Sequence, residues 1–196
     1  MPKNGRSSLL DEKARATRRK ILVEATRLFA RQGYHKTTVT DIANAIGMTQ
    51  GALFHHFPNK EALLEAVVRR LARGFAEYRA AMDPDSMQAT LERVIAAMVD
   101  HYEAQPEATL CLAALATEFG GSGHPILEQI RAAYDCFVDP FQELLSRYPG
   151  VKNPREVAIA YVGAMQGIGT QGLLREGNPP LRDLAFAFQT ILHMPH

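Results

Sequence analysis

Apolar side chains recur along most of the chain at intervals of three and four residues, the spacing that gathers them onto one face of an α-helix. Ile21, Ala25, Leu28 and Phe29 mark such a face on a helix from Lys13 to Gln32, which Gly33 ends. Val39, Ile42, Ala43 and Ile46 mark a second, short helix with Thr38 placed to cap it and Asp41 in its first turn. Gly47 supplies a residue that turns freely to positive φ. Thr49 then restarts a helix that turns Leu53 and Phe57 inward and stops at Pro58. Asn59 caps a longer helix from Lys60 to about Met82, with Leu64, Val67, Val68 and Leu71 inside and Arg69, Arg70, Arg73 and Arg79 outside. The stretch AMDPDS, residues 81–86, breaks the pattern. Helices are then predicted at Met87–Ala104, Glu107–Phe119, Ile126–Tyr148, Pro154–Arg175 and Leu181–His193. The expected fold is all-α, divided into an arm (1–14), a three-helix head (15–60), a connecting helix (61–82) and a second helical domain (83–196).

The two short helices admit two readings, a plain helical hairpin in an all-α protein or a reader of nucleic acid. Two helices of about two turns, joined by a short turn containing Gly, form a helix-turn-helix. The outward face of the second carries Gln50, Gly51, Ala52, His55 and His56. That face is polar, low in profile and free of acids, as a major groove requires. Gln50 is the expected base reader, because its amide pairs bidentately with adenine, and Thr40, Gly51 and Ala52 are candidates for base edges and thymine methyls. Thr38, Thr49, His56 and Lys60, near helix starts and the exit turn, are expected on phosphates, as are Arg15, Arg18, Arg19 and Lys20. His55 and His56 are not expected to hold a metal ion, since adjacent helical residues point about 100° apart.

Charge agrees with this division. The chain of 196 residues carries a net charge of +1, but residues 1–79 hold 15 Lys and Arg against 7 Asp and Glu, and residues 80–196 hold 7 against 14. A basic first part (+8) and an acidic second part (−7) confine contact with a polyanion to the first. Two cysteines make no disulfide framework, and the N-terminus lacks the apolar region of a signal peptide. The apolar runs fall short of a membrane span, so a soluble cytoplasmic protein is expected.

Between Arg18 and Val68, and most densely in TTVTDIANAIGMTQGALFHHFPNKEALL, the sequence resembles the DNA-binding signature of the tetracycline-repressor (TetR) family of bacterial transcriptional regulators. The resemblance implies that Thr40, Gly51, Ala52 and their neighbours meet DNA. It also implies that the helix from Lys60 links a DNA-binding domain to a ligand-binding and dimerisation domain, and that the last two helices of each protomer form a homodimer. Phe54 stands where the family usually has Tyr, so a hydroxyl contact to phosphate is lost and a somewhat lower affinity is expected.

Gly163, Ala164, Gly167, Gly169 and Gly172 crowd one predicted helix, although each interior Gly costs up to about 1 kcal/mol relative to Ala. Close approach of another helix explains the cost. With the family resemblance, this places Gly163, Gly167, Gly169, Leu184 and Phe188 at the dimer interface. Two heads held about one DNA turn apart, or a multiple, would then read a palindromic operator.

A separate acidic helical domain suggests control by an unknown small-molecule effector. Candidate pocket residues are polar or aromatic groups on apolar helices: His101, Tyr102, Cys111, Glu118, Phe119, Tyr134, Phe137, Met165 and Gln166. Glu118 stands out, because a carboxylate ending an apolar helix is costly unless paired. The pattern LCLAALATEF around Cys111 is similar to electrophile-sensing members of the same family, while a small buried hydrophobe is the plainer reading of that thiol. The competing class is an all-α enzyme or a binding protein of another kind. GGSGHP (120–125) lacks the GK[ST] of a phosphate loop, and no GxSxG, HExxH or CxxC occurs, so neither catalytic residues nor a cofactor are expected. The expected function is a repressor released from its operator by an inducer, with activation as the variant within that reading.

Overall fold

The computed structural model describes the backbone of residues 4–76 and 87–192. Nine α-helices and no strands lie among the described residues: α1 (Asn4–Gln32), α2 (Val39–Ala45), α3 (Gln50–His56), α4 (Lys60–Ala76), α5 (Met87–Ala104), α6 (Pro106–Phe119), α7 (Ile126–Leu145), α8 (Pro154–Leu174) and α9 (Leu181–Leu192). The expected end of the connecting helix at Met82, the break at 81–86, Arg79 and His193 lie outside the described residues.

Helix α1 corrects the expected arm, since it is already helical at Asn4. The polar and small residues Asn4, Gly5, Ser7 and Ser8 had argued for an arm. The following SSLLDEKARA offers enough good helix formers to extend the element backward. Lower down, α1 buries Ile21, Ala25 and Phe29 completely.

The hydrophobic core forms two clusters. The first runs without a break from α1–α4 (Ile21, Phe29, Ile42, Leu53, Phe57, Leu64) into α6 and α7 (Cys111, Leu112, Leu115, Phe119, Ile130). The apolar interior is therefore continuous across the boundary expected near residue 60. The second joins α5, α7, α8 and α9 through Val99, Phe141, Leu144, Ala158, Tyr161, Met165 and Leu181.

Helix α8 has two unlike faces. Ala158, Tyr161, Met165, Gly169 and Gly172 turn inward, whereas Ile159, Gly163, Gly167, Thr170 and Leu174 are exposed. By length and composition alone α8 is apolar enough to cross a membrane, which the sequence reading did not anticipate. Its inner stripe nevertheless packs within a protein core.

Candidate nucleic-acid interface and effector cavity

The reading helix is built by caps on either side of a tight turn. The Thr38 hydroxyl accepts the Asp41 N–H at 3.0 Å, and the Asp41 carboxylate accepts the Thr38 N–H at 2.8 Å, a reciprocal capping box. Thr38's hydrogen bonds, side chain first, hold the Asp41 carboxyl below its usual range. Gly47 turns the chain at φ +68, where an L side chain is strained. The Thr49 hydroxyl then accepts the Ala52 N–H at 3.2 Å, and the Asn59 side chain caps α4 by accepting the Ala62 N–H at 2.7 Å.

These caps aim α3 outward. Thr40, Gln50, Gly51 and His55 are exposed, Ala52 and His56 are half-buried, and Phe54 is 39% exposed. A Cβ added at Gly51 would meet nothing within 4 Å, so the backbone is open to close approach there. Leu53 and Phe57 face the core.

Two cations expected on phosphates have partners inside the protein. Arg18 donates to the His56 carbonyl at 2.7 Å and lies 4.0 Å from the centre of the Phe57 ring, so it ties α1 to the end of the reading helix. Lys60 sits 4.1 Å over the Tyr34 ring and donates to the His35 carbonyl at 3.4 Å, and burial lowers its pKa. Arg15, Arg19 and Lys20 stay exposed on α1. Arg18 and His56 are 38 residues apart, and no local pattern announces that bond.

The effector candidates divide into two groups. His101, Tyr102, Tyr134, Phe137, Met165 and Gln166 line one cavity of about 70 Å³, with Val99, Leu112, Val162, Leu181 and Ala185 completing a mostly apolar wall. Two hydrogen bonds within the chain engage polar groups of this wall. Gln166 donates to the Tyr134 hydroxyl, and the Tyr102 hydroxyl donates to the Gly169 carbonyl at 2.8 Å. Burial pushes both phenols above their ordinary pKa.

Cys111, Glu118 and Phe119 are not part of that wall, and the sequence expectation is corrected for all three. Cys111 is fully buried in the first core cluster, where burial pushes its thiol up to about 12. The apolar character of α6 hid that this face meets α1 rather than a ligand. Phe119 is buried with its ring centre 5.3 Å from that of Tyr34 and 4.9 Å from that of His124. Glu118 uses its two oxygens on two backbone groups of the loop after α1, accepting the Tyr34 and His35 N–H groups at 2.7 Å each. Those bonds resolve the cost of a carboxylate at that position.

The dimer candidates also divide. Added Cβ atoms at Gly163 and Gly167 would meet nothing within 4 Å, and Leu184 is half-buried. Gly169 is corrected, because a Cβ there would come within 3.1 Å of the Tyr102 ring of the same chain. Phe188 is half-buried and packs against Tyr161 with ring centres 6.3 Å apart. Phe186, which the sequence reading passed over, is the exposed α9 aromatic at 42%.

Comparison with known proteins agrees with this geometry. Residues 21–67 match the model of the bacterial regulatory proteins of the tetR family. The HTH-type transcriptional repressor Rv1474c of Mycobacterium tuberculosis is 54% identical over 54 residues, covering 28% of this chain and 29% of that protein. The HTH-type transcriptional repressor KstR2 of Rhodococcus jostii is 36% identical over 102 residues, half of each chain. The chain thus spans half or less of the length of these curated relatives. Among solved structures, the MbdR regulator of Azoarcus sp. CIB superposes with a TM-score of 0.75 at 22% identity, over 89% of this chain and 95% of that one, a likeness of fold. Residues 21–67, with their capped helix-turn-helix, are thus similar to the DNA-binding part of the tetR family of bacterial regulatory proteins, and the helical body behind them shares the fold of a solved regulator.

Proposed function

We propose that the protein is a transcriptional repressor that binds a palindromic DNA operator as a homodimer and is released by a mostly apolar small molecule. The observation that carries the reading is α3, whose Gln50, Gly51 and His55 are exposed on a capped scaffold, in a head whose α1 also exposes Arg15, Arg19 and Lys20. Gln50 reads bases, while Thr38, Thr49 and the α1 cations contact phosphates. His56 and Lys60 sit at the edge of this surface, with part of their bonding capacity spent on holding the head together. That the matched relatives are named repressors favours repression over activation.

The open α8 face supports the dimer. Ile159 is 51% exposed and Leu174 72%, and Gly163 and Gly167 lie between them on the same face. A second copy laid across that face would bury this apolar surface and give the two glycines the close neighbour that justifies them. The cavity beneath α8 suits an apolar effector with one or two hydrogen-bonding groups able to replace the Tyr134–Gln166 contact. Such a protein works in the cytoplasm.

A duplex selected from a random pool, followed by salt titration of its binding, tests the reading. Affinity should fall steeply with salt, and Gly163→Glu should give a monomer with much weaker binding. A monomeric wild type with no preference among duplexes would exclude the proposal.

A further inference from the structure

Two hollows of the body share a wall. The cavity already described holds about 70 Å³. Beside it, between α6, α7 and α8, runs an open groove of about 970 Å³ that Ala116, Arg131, Asp135, Arg155, Gly163 and Gly167 help to line. Three side chains border both hollows: Tyr134 from α7, and Val162 and Gln166 from α8. The Gln166 amide donates to the Tyr134 hydroxyl across this shared wall. The partition is thus two side chains joined by one hydrogen bond, with a valine beside them.

Size limits what the inner cavity can hold by itself. Its 70 Å³ is about half of the ~150 Å³ that takes one benzene ring, which leaves room for about three carbons. Sites for small molecules commonly run to about 300–1,000 Å³. The cavity falls short of that range, and the groove supplies the missing space. Turning Tyr134 and Gln166 to other rotamers breaks one hydrogen bond and joins the two hollows.

The two compartments differ in chemistry. Among the described residues, no Lys or Arg lines the cavity. The groove carries Arg131, one turn before Tyr134 on α7, exposed and without an ion pair among the described residues. Arg155, the other cation of the groove, is held by Asp135 and Asp139 at 2.9 and 2.8 Å. Gly163 and Gly167 keep the α8 side low, since a Cβ on either would meet nothing within 4 Å.

We propose that the cavity and the groove are two halves of one site for a linear amphiphilic acid, with the Tyr134–Gln166 pair as the door between them. The apolar chain lies in the cavity, and the carboxylate ends in the groove beside Arg131. The proposal rests on the effector reading above and gives that effector a shape, longer than the cavity and charged at one end. A second copy laid across α8 would roof the groove at Ile159, Gly163 and Gly167, so the outer half of the site would lie beneath the dimer face.

The test titrates linear alkanoates of four to twelve carbons into the full chain by calorimetry, with a thermal melt to confirm that each variant folds. Affinity should rise about fourfold with each added methylene up to about ten carbons, well beyond what the closed cavity holds. Decanoate should lose at least about tenfold when the cavity is filled by Ala185→Val, or by Thr109→Leu should the first fail to fold. It should lose as much when the groove is filled by Ala116→Leu. Arg131→Gln should weaken decanoate about threefold and leave decanol unchanged. Tyr134→Phe keeps the ring but removes the bond, so decanoate should bind at least about twofold tighter because opening the door no longer breaks it. An affinity that levels off at four carbons, a decanoate indifferent to either filling or to Arg131→Gln, unchanged or weaker binding in Tyr134→Phe, or no binding by any chain overturns the proposal. Decanoate that binds as expected without releasing the selected duplex would count against the effector reading and leave the site standing.

Discussion

The head and the body of this molecule are finished to different degrees. In the head, α2, α3 and α4 each start under a side-chain cap, from Thr38, Thr49 and Asn59. Its two buried polar side chains, Thr26 and Thr37, donate to the carbonyls of Leu22 and Gly33 at 2.7 Å each. In the body, α6 and α8 start without a side-chain cap, and Asn153 before α8 sits at φ +54. The buried Gln129 Oε1 and Tyr161 hydroxyl have no hydrogen-bond partner among the described residues, and α8 leaves an apolar face uncovered. A reader of DNA has to be preorganised. Under the proposed function, a sensor retains an unfilled place and an unfinished surface for an effector and a second copy to complete.

The largest effect should come from exchanging the two kinds of apolar residue. Phe29→Ala in the head, a fully buried ring 5.4 Å edge-on from Tyr34, should cost about 3–5 kcal/mol of unfolding free energy in urea. Ile159→Ser in the body should stay within about 0.5 kcal/mol for the monomer, while sedimentation shows weakened self-association. Comparable losses from both would erase the distinction. Next in size, Gln50→Ala should cut discrimination at one operator base pair by about 1–3 kcal/mol with an unchanged melting temperature.

The caps sharpen the contrast on a smaller scale. Thr38→Ala should destabilise by about 1 kcal/mol, whereas Asn153→Gly, at a start with no cap bond to lose, should change stability by a few tenths. The capping box also has a pH signature. Because the folded Asp41 pKa is depressed, its contribution is full above the unfolded carboxylate value and is lost as pH falls through the folded one. Carboxyl titration followed by NMR should show the depression diminished in Thr38→Ala. Smallest of all is the response of Cys111 to electrophiles. Fully buried, with its pKa pushed up to about 12, the thiol stays protonated at pH 8, so iodoacetamide should leave it intact in folded protein and modify it after denaturation, as mass spectrometry would report.

Local patterns carried most of the fold and half of the site. Apolar spacing placed the helices, and Thr38, Gly47, Thr49 and Asn59 declared their caps and turn through residue chemistry alone. What stayed hidden was set by partners far along the chain. Glu118 read as a costly acid beside a pocket because Tyr34, its partner, lies 84 residues away. Gly169 and Gly163 read alike because small residues announce a close neighbour without saying whether it is Tyr102 of the same chain or another molecule. The start of α1 was missed for a different reason, when small and polar residues near the terminus outweighed a run of good formers.

The way α3 is mounted bears on how such proteins diversify. Arg18, Leu53 and Phe57 hold the helix from behind, while Gln50 and Gly51 in front touch nothing the head needs in order to fold. Those front positions are interchangeable type in a fixed printing block. If the proposed function holds, new operator preferences are reachable by substitution there, one letter at a time, without first buying extra stability elsewhere.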